Sequence, residues 1–182
     1  VTSIVALDES HGLDGFTSGD PVRDTWLRRR AAENQQSGYT RTYLLIDDAG
    51  TVDGFYALAV GSVLRTSLPG ALRRNAPDPV SCVILAQLAI SSGQQGNGYS
   101  RTLVLDAMER TLKLGAIAGC RLLVVHPARP DLVGYYERFG FLSATTTPPM
   151  MAMTLADIRK IQAGLGLIPL PSPSPAGGRG PG

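Results

Sequence analysis

The sequence predicts an α/β (α+β) fold, a mixed central sheet flanked by helices, and three stretches support it. Residues 83–112 (VILAQLAISSGQQGNGYSRTLVLDAMERTL) change character twice. An apolar, β-rich run gives way to a polar loop with three glycines, and then to apolar residues spaced by three and four. Residues 42–60 hold two β-rich runs separated by Asp47-Asp48-Ala49-Gly50, which reads as an antiparallel hairpin. Residues 120–126 (CRLLVVH) form a short apolar strand broken by Pro127. At 182 residues and 43% hydrophobic content, the chain is long enough for one domain with a full core. That domain is expected over residues 1–166. A tail over 167–182 is dominated by proline and glycine from Pro169 onward and is expected to be disordered.

In chain order, residues 1–7 alternate as a first strand. A turn-rich passage, Leu13 to Pro21, leads into a helix with Asp20 as N-cap and Pro21 at its first position. Val22, Trp26, Leu27 and Ala31 extend it to about Gln36, where Ser37-Gly38 ends it. Its polar face bears Arg23, Arg28, Arg29 and Arg30, read either as a solvated surface or as a phosphate-contacting one. After the hairpin, residues 61–79 form a loop or short helix kept out of the sheet by Pro77 and Pro79. Arg65, Arg73 and Arg74 make a second basic patch there, placed beside the ligand edge of the central strand. Beyond the strand at 120–126, Asp131 caps a helix with Leu132, Tyr135, Tyr136 and Phe139 that stops at Gly140. Phe141 opens a strand, Met150–Leu155 forms the last one, and a short helix runs from Ala156 to about Leu165.

Composition narrows the function. No apolar run is long enough to span a membrane and no signal-peptide pattern is present, so a cytoplasmic address is expected. Cys82 and Cys120 are isolated in apolar segments and read as buried thiols. The net charge of +2 leaves any nucleic-acid contact to local arginine clusters. No histidine, cysteine and carboxylate set has metal spacing, so no metal is expected. His126 closes an apolar strand and reads as a core residue, while His11 lies in a turn.

Gly96 and Gly98 fall where the loop becomes the first turn of a helix. Backbone N–H groups there lack intrahelical partners, and the helix dipole favours an anion such as a pyrophosphate. Arg101 stands where a dinucleotide fingerprint needs its third glycine, and no Gly-Lys-Ser/Thr is present. Gln95-Gly96-Asn97-Gly98-Tyr99-Ser100 resembles the acetyl-CoA loop of the GNAT acetyltransferases, Gln/Arg-x-x-Gly-x-Gly/Ala, with Ser100 at the last position. Gly134-Tyr135-Tyr136-Glu137-Arg138-Phe139-Gly140-Phe141 resembles the family's closing motif. The two at this spacing, with CRLLVVH between, are far more specific than either alone, and the resemblance covers about residues 3–160. It implies a GNAT fold and acetyl-CoA as co-substrate, held by Gln95, Gly96, Asn97, Gly98, Tyr99, Ser100 and Arg101. It also implies a splayed central strand whose backbone at Leu88, Ala89 and Ile90 polarises the thioester carbonyl.

A narrower resemblance is to the GNAT toxins of toxin–antitoxin pairs. It rests on Gly15-Phe16-Thr17-Ser18-Gly19-Asp20-Pro21 with Asp24 and Trp26 to Ala31, on Gly54 to Leu58, and on Arg73-Arg74-Asn75 with Pro77-Asp78-Pro79. Ser18 stands where many members have cysteine, and Arg23 where they have an aliphatic residue. Such toxins acetylate the free amine of aminoacyl-tRNA and block translation. The resemblance implies a ribbon-helix-helix antitoxin and a homodimer; on the toxin reading, the two basic patches supply Arg28, Arg29, Arg30, Arg73 and Arg74 to hold tRNA phosphates.

An aminoacyl α-amine titrates near neutrality, at about 7.7–8.0 or lower, so acetyl transfer to it needs no strong enzymic base. The leaving thiolate needs a proton, and the family's tyrosine maps to Tyr136. Tyr135 competes, since a helix is expected to turn only one of two adjacent tyrosines toward a given cleft. Cys120 lacks an activating base for an acyl-carrier role, which leaves direct transfer as the simpler mechanism. Two other readings stand beside the toxin: a GNAT enzyme acting on a protein or small-molecule amine, and a non-enzymatic CoA-binding subunit working through its antitoxin and promoter DNA.

Overall fold

Strand β1 (Ser3–Ala6) precedes helices α1 (Pro21–Arg29) and α2 (Ala31–Gln36) in the computed structural model, which describes residues 1–144 and 146–165. The hairpin is β2 (Arg41–Ile46) and β3 (Val52–Val63), followed by the single-turn helix α3 (Gly70–Arg73). Strand β4 (Val80–Ile90), helix α4 (Tyr99–Ile117) and strand β5 (Leu122–Val125) form the centre. Helix α5 (Val133–Glu137), strands β6 (Leu142–Ser143) and β7 (Met151–Thr154), and helix α6 (Leu155–Gly164) complete the described chain. The Pro/Gly-rich tail lies outside the described residues.

The seven strands among the described residues form one sheet in the order β1-β2-β3-β4-β5-β7-β6. Only β4 and β5 pair in parallel; the other neighbours are antiparallel, which makes the sheet mixed. The parallel pair is joined through α4, the crossover that parallel strands require. All six positions read as the apolar face of α4 (Leu103, Val104, Ala107, Met108, Thr111 and Leu112) are buried. They meet Val83, Leu85, Leu123 and Met153 of the sheet. On the opposite face, Leu27 and Ala31 pack with Phe16, Leu44 and Phe55. Full burial of a leucine such as Leu27 contributes about 1.5–3 kcal/mol.

Local signals account for the element ends. The Asp20 carboxylate accepts the Val22 and Arg23 N–H groups, with Pro21 at the first helical position, as its N-cap reading requires. The single helix expected to Gln36 is instead two, divided at Arg30, where φ opens to −119° while ψ stays at −28°. Asp131 is not a cap. It lies inside a short 3-10 turn, Pro130–Leu132, and its carboxylate pairs with Arg129 at 3.1 Å. A polar clasp ties α4 to the hairpin: the Tyr56 hydroxyl and Arg110 Nε both donate to Asp106, the latter over 2.7 Å. The Arg110 guanidinium lies 3.8 Å from the Tyr43 ring centre. Burial, and then the bond to Asp106, push the Tyr56 phenol far up, so it remains a neutral donor.

Candidate active site

The site arises where the parallel pair stops. Strand β5 meets β4 only from Cys82 to Leu85, while β4 continues to Ile90 along β3. The ladder slips between Ala57 and Leu58, which leaves Ala86 as the extra residue of a bulge. Beyond it the β5-facing edge of β4 is open. The phase follows from one bond: Ser91 N–H donates to Asp53 C=O over 2.8 Å. Alternation then turns the Ala89 backbone toward β3 and the Leu88 and Ile90 backbones into the gap. The gap widens into a cleft of about 760 Å³, lined by Leu85–Ile90, the 92–100 loop and helix start, and Tyr135 and Tyr136. Of the three backbone positions expected to polarise a carbonyl, Leu88 and Ile90 can do so, and the N–H of Ala89 is spent in the ladder. Gln95 donates to the Ile90 carbonyl at 3.2 Å, which leaves the N–H groups of both Leu88 and Ile90 turned to the gap.

One wall of the cleft is the N-terminus of α4. Gly96 and Gly98 hold φ of +87° and +82°, which an L side chain resists. Space beside both is open, so backbone conformation rather than crowding requires glycine there. Gly98 is the N-cap and offers no side-chain acceptor, and the first turn contains no acid. The early N–H groups therefore face the cleft without a competing anion, which suits a phosphate group. The Arg101 N–H is turned back to the Gly98 carbonyl at 3.0 Å. Gly96, Gly98, Tyr99, Ser100 and Gln95 line the cleft, while Asn97 and Arg101 lie outside its lining. The Asn97 side chain holds Gln94 at 2.8 Å. Gln95 works as a clasp, its amide donating to Ser18 C=O at 2.8 Å as well as to Ile90.

That clasp joins the loop to the start of α1. Ser92 N–H donates to Thr17 C=O at 2.8 Å. Buried Asp24 organises the same turn, accepting the Ser18 N–H at 2.9 Å, the Ser18 hydroxyl at 2.6 Å and the Thr17 hydroxyl at 3.2 Å. Arg23, one residue earlier, lines the cleft and pairs with Asp20. Sequence spacing puts it on a surface face, and the helix start instead turns it inward. Asp24 belongs to the run that resembles the toxins, but its local pattern does not disclose this role, because its partners come from the preceding turn.

Both tyrosines of α5 line the cleft, contrary to the expectation that only one can. The cleft wraps around the end of this one-turn helix, so neighbours about 100° apart both reach it. The Tyr135 hydroxyl is engaged, donating to Ser100 Oγ at 3.0 Å. The Tyr136 ring is buried against Phe141, and its hydroxyl has no hydrogen-bond partner among the described residues. Burial, then Tyr135, push the Tyr136 phenol up to about 12, with the charge of Arg23 acting the other way. Tyr136 thus presents a protonated, unencumbered O–H to the cleft.

Other expectations need relocation. His126 is not a core residue: β5 ends at Val125, and His126 is exposed on the cleft lining. Cys82 is buried and its thiol is pushed up to about 11 by burial, while Cys120 is half-buried with its thiol raised for the same reason. Neither suits an acyl carrier. Arg73 and Arg74 precede β4 and stand at the opposite end of that strand from the cleft, not beside its ligand edge. The five arginines expected to hold tRNA differ in freedom. Arg28 donates to Phe16 C=O at 2.7 Å, Arg73 to Leu68 C=O at 2.7 Å, and Arg30 pairs with Glu33 at 3.1 Å. Arg29 and Arg74 are exposed, and their side chains have no partner among the described residues. Among the described residues no metal-binding cluster is found and no helix is long and apolar enough to cross a membrane.

The acetyltransferase (GNAT) family model matches residues 13–141. The chain is 35% identical over 155 residues to a tRNA-acetylating toxin of Mycobacterium tuberculosis, covering 85% of this chain and 93% of that protein. Its fold is similar to that of AtaT complexed with acetyl-methionyl-tRNAfMet, with a TM-score of 0.81 at 22% identity over 88% of this chain and 99% of that one. It is similar as well to a mutant AtaT bound to the C-terminus of the antitoxin AtaR and acetyl-CoA, with a TM-score of 0.76 at 20% identity over 90% and 99% of the two chains. The family match spans most of the folded chain and takes in both the glycine loop and the tyrosine pair, so this chain belongs to the GNAT acetyltransferase family.

Proposed function

We propose that this protein uses acetyl-CoA to N-acetylate the α-amine of aminoacyl-tRNA, and that it blocks translation as the toxin of a toxin–antitoxin pair. One observation carries the chemistry: an open strand edge, a bare helix N-terminus and a free tyrosine hydroxyl converge on one cleft. The choice of acceptor is supported by the 35% identity to a tRNA-acetylating toxin.

The donor set fits acetyl-CoA, which supplies an activated acyl thioester. The N–H groups of Gly98, Tyr99 and Ser100 take the pyrophosphate, and the Leu88 N–H polarises the thioester carbonyl. Tyr136 holds a proton for the departing thiolate. The neutral amine attacks directly, since neither cysteine is activated. Its N–C bond forms as the C–S bond breaks, the thiolate takes the Tyr136 proton, and the proton shed by the amine, through water, restores the phenol. Tyr135, tied to Ser100, sets the position of the α4 N-terminus rather than moving a proton. Arg29 and Arg74, with Arg28, Arg30 and Arg73, supply cations for tRNA phosphates. The partner is a ribbon-helix-helix antitoxin, the active form is a homodimer, and the site of action is the cytoplasm.

Expression in a bacterial host tests the enzymatic reading. Wild type is expected to arrest growth, and Tyr136→Phe to relieve the arrest at equal protein level. Arrest by both variants alike would contradict an enzymatic toxin and favour a subunit acting through binding alone.

A further inference from the structure

The far end of the sheet carries a feature unrelated to the cleft. Strand β2 covers β3 only as far as Leu58, opposite Arg41, yet β3 runs on to Val63. From Ala59 onward β3 has β4 on one side and, among the described residues, no strand on the other. The Arg121 N–H donates to Ser81 C=O at 3.1 Å, so the Ser81 backbone faces β5. Its opposite number on β3, Ser62, therefore turns its N–H and C=O to the open edge, and so does Val60. The run Ala59–Leu64 (AVGSVL) contains no charge, lysine or proline, the usual protections of an exposed edge. Val60 and Leu64 are 76% and 60% exposed, and they lie symmetrically about Ser62. Beside them is a groove of about 310 Å³, lined by Tyr39, Thr40, Leu58 and Val60. Tyr39 is itself 73% exposed.

We propose that two copies of this chain pair along this edge, antiparallel about a two-fold axis through Ser62. The proposal locates the homodimer named above and rests on that reading. Such pairing joins Ser62 to Ser62, and Val60 of each copy to Leu64 of the other, so the exposed apolar side chains cover one another. Leu64 is thereby carried to the groove bounded by Tyr39 and Val60 of the second copy. The 3-10 turn at Arg65–Ser67 bends the chain away before it meets the second copy's β2. Charge agrees with a second copy. Asp78 holds the Arg65 N–H at 3.0 Å at one end of the edge, and Arg41 stands at the other. Both are exposed and neither is in an ion pair among the described residues. The two-fold brings each toward the other's opposite, twice.

Light scattering on the purified full chain tests this with three variants. Val60→Pro removes an N–H that faces outward, so the ladder to β4 is kept. Val60→Lys places a charge on the edge without touching the backbone. Ser62→Cys puts two thiols on residues about 5.5 Å apart between Cα atoms, within the disulfide range. Wild type is expected to be a dimer, both Val60 variants monomers that still bind acetyl-CoA, and Ser62→Cys a reducible covalent dimer on oxidation. Dimeric Val60 variants and no cross-link would overturn the interface while leaving the dimer reading intact. A monomeric wild type would overturn both. Loss of antitoxin binding with the dimer retained would reassign the edge to the antitoxin and overturn the proposal.

Discussion

Replacing Tyr136 by Phe removes one oxygen and keeps the ring that meets Tyr135 at 5.2 Å and Phe141 at 5.6 Å between centroids. Because the hydroxyl has no protein partner among the described residues, no donor or acceptor is stranded by its loss. Stability at neutral pH is therefore expected to change by less than about 0.5 kcal/mol. The rate is another matter: a positioned general acid is worth about 100- to 10,000-fold, or roughly 3–5 kcal/mol of barrier. The loss should fall on kcat, with KM for acetyl-CoA unchanged, since the hydroxyl is not needed to bind the ground state. The phenol is raised from 10.0 to about 12 by burial, so it is a proton donor at any neutral assay pH. Between those two values the folded chain holds a proton that the unfolded chain has lost. This stabilisation is whole below pH 10 and disappears as pH rises through 12, a loss on the order of 3 kcal/mol for the wild type. Tyr136→Phe should show a shallower alkaline loss in urea unfolding. Acetyl-transfer kinetics of Tyr136→Phe beside Tyr135→Phe decide the assignment. Full turnover by Tyr136→Phe with none by Tyr135→Phe would refute it.

Other positions give independent checks. Gly98→Ala forces a side chain into φ +82° and should cost about 1–2 kcal/mol by thermal unfolding, with a larger fall in acetyl-CoA affinity by calorimetry because the helix start shifts. Asp24→Ala strands the Ser18 N–H and hydroxyl in a part-buried turn; a loss of about 2–4 kcal/mol in urea unfolding is expected, with a raised KM for acetyl-CoA. Arg29→Glu with Arg74→Glu breaks no internal bond, so fold and acetyl-CoA affinity should hold while tRNA affinity falls. The slope of log affinity against log salt should then drop by about 0.7–0.9 for each phosphate that is no longer neutralised, and an unchanged slope would leave those arginines as plain surface.

Much of the fold is legible in the sequence because its signals are local. The Asp20 cap and the turn at Asp47–Gly50 each sit within a few residues, and the six-residue buried face of α4 within about three turns of helix. What escapes depends on distant partners. The Ala86 bulge, which frees the Leu88 backbone, exists only as a slip against β3. Asp24 looks like an ordinary helix acid until the preceding turn folds back onto it. His126 looks interior because apolar residues precede it, yet β5 is only four residues long and delivers it to the cleft rim. Arg73 and Arg74 are adjacent in sequence to the central strand, but β4 has 11 residues and, at about 3.3 Å each, separates them from the cleft. The tyrosine pair shows the same limit: sequence spacing predicts which way a residue turns, and the cleft's shape determines whether its neighbour is excluded.

The most direct measurement mixes the purified protein, acetyl-labelled acetyl-CoA and a pool of charged tRNAs, with Tyr136→Phe in parallel. Label on the amino acid of charged tRNA, none on uncharged tRNA, and a rate at least about 100-fold lower for Tyr136→Phe are predicted. Acetyl-CoA binding with no label on any aminoacyl-tRNA would contradict the account and turn the search to protein or small-molecule amines.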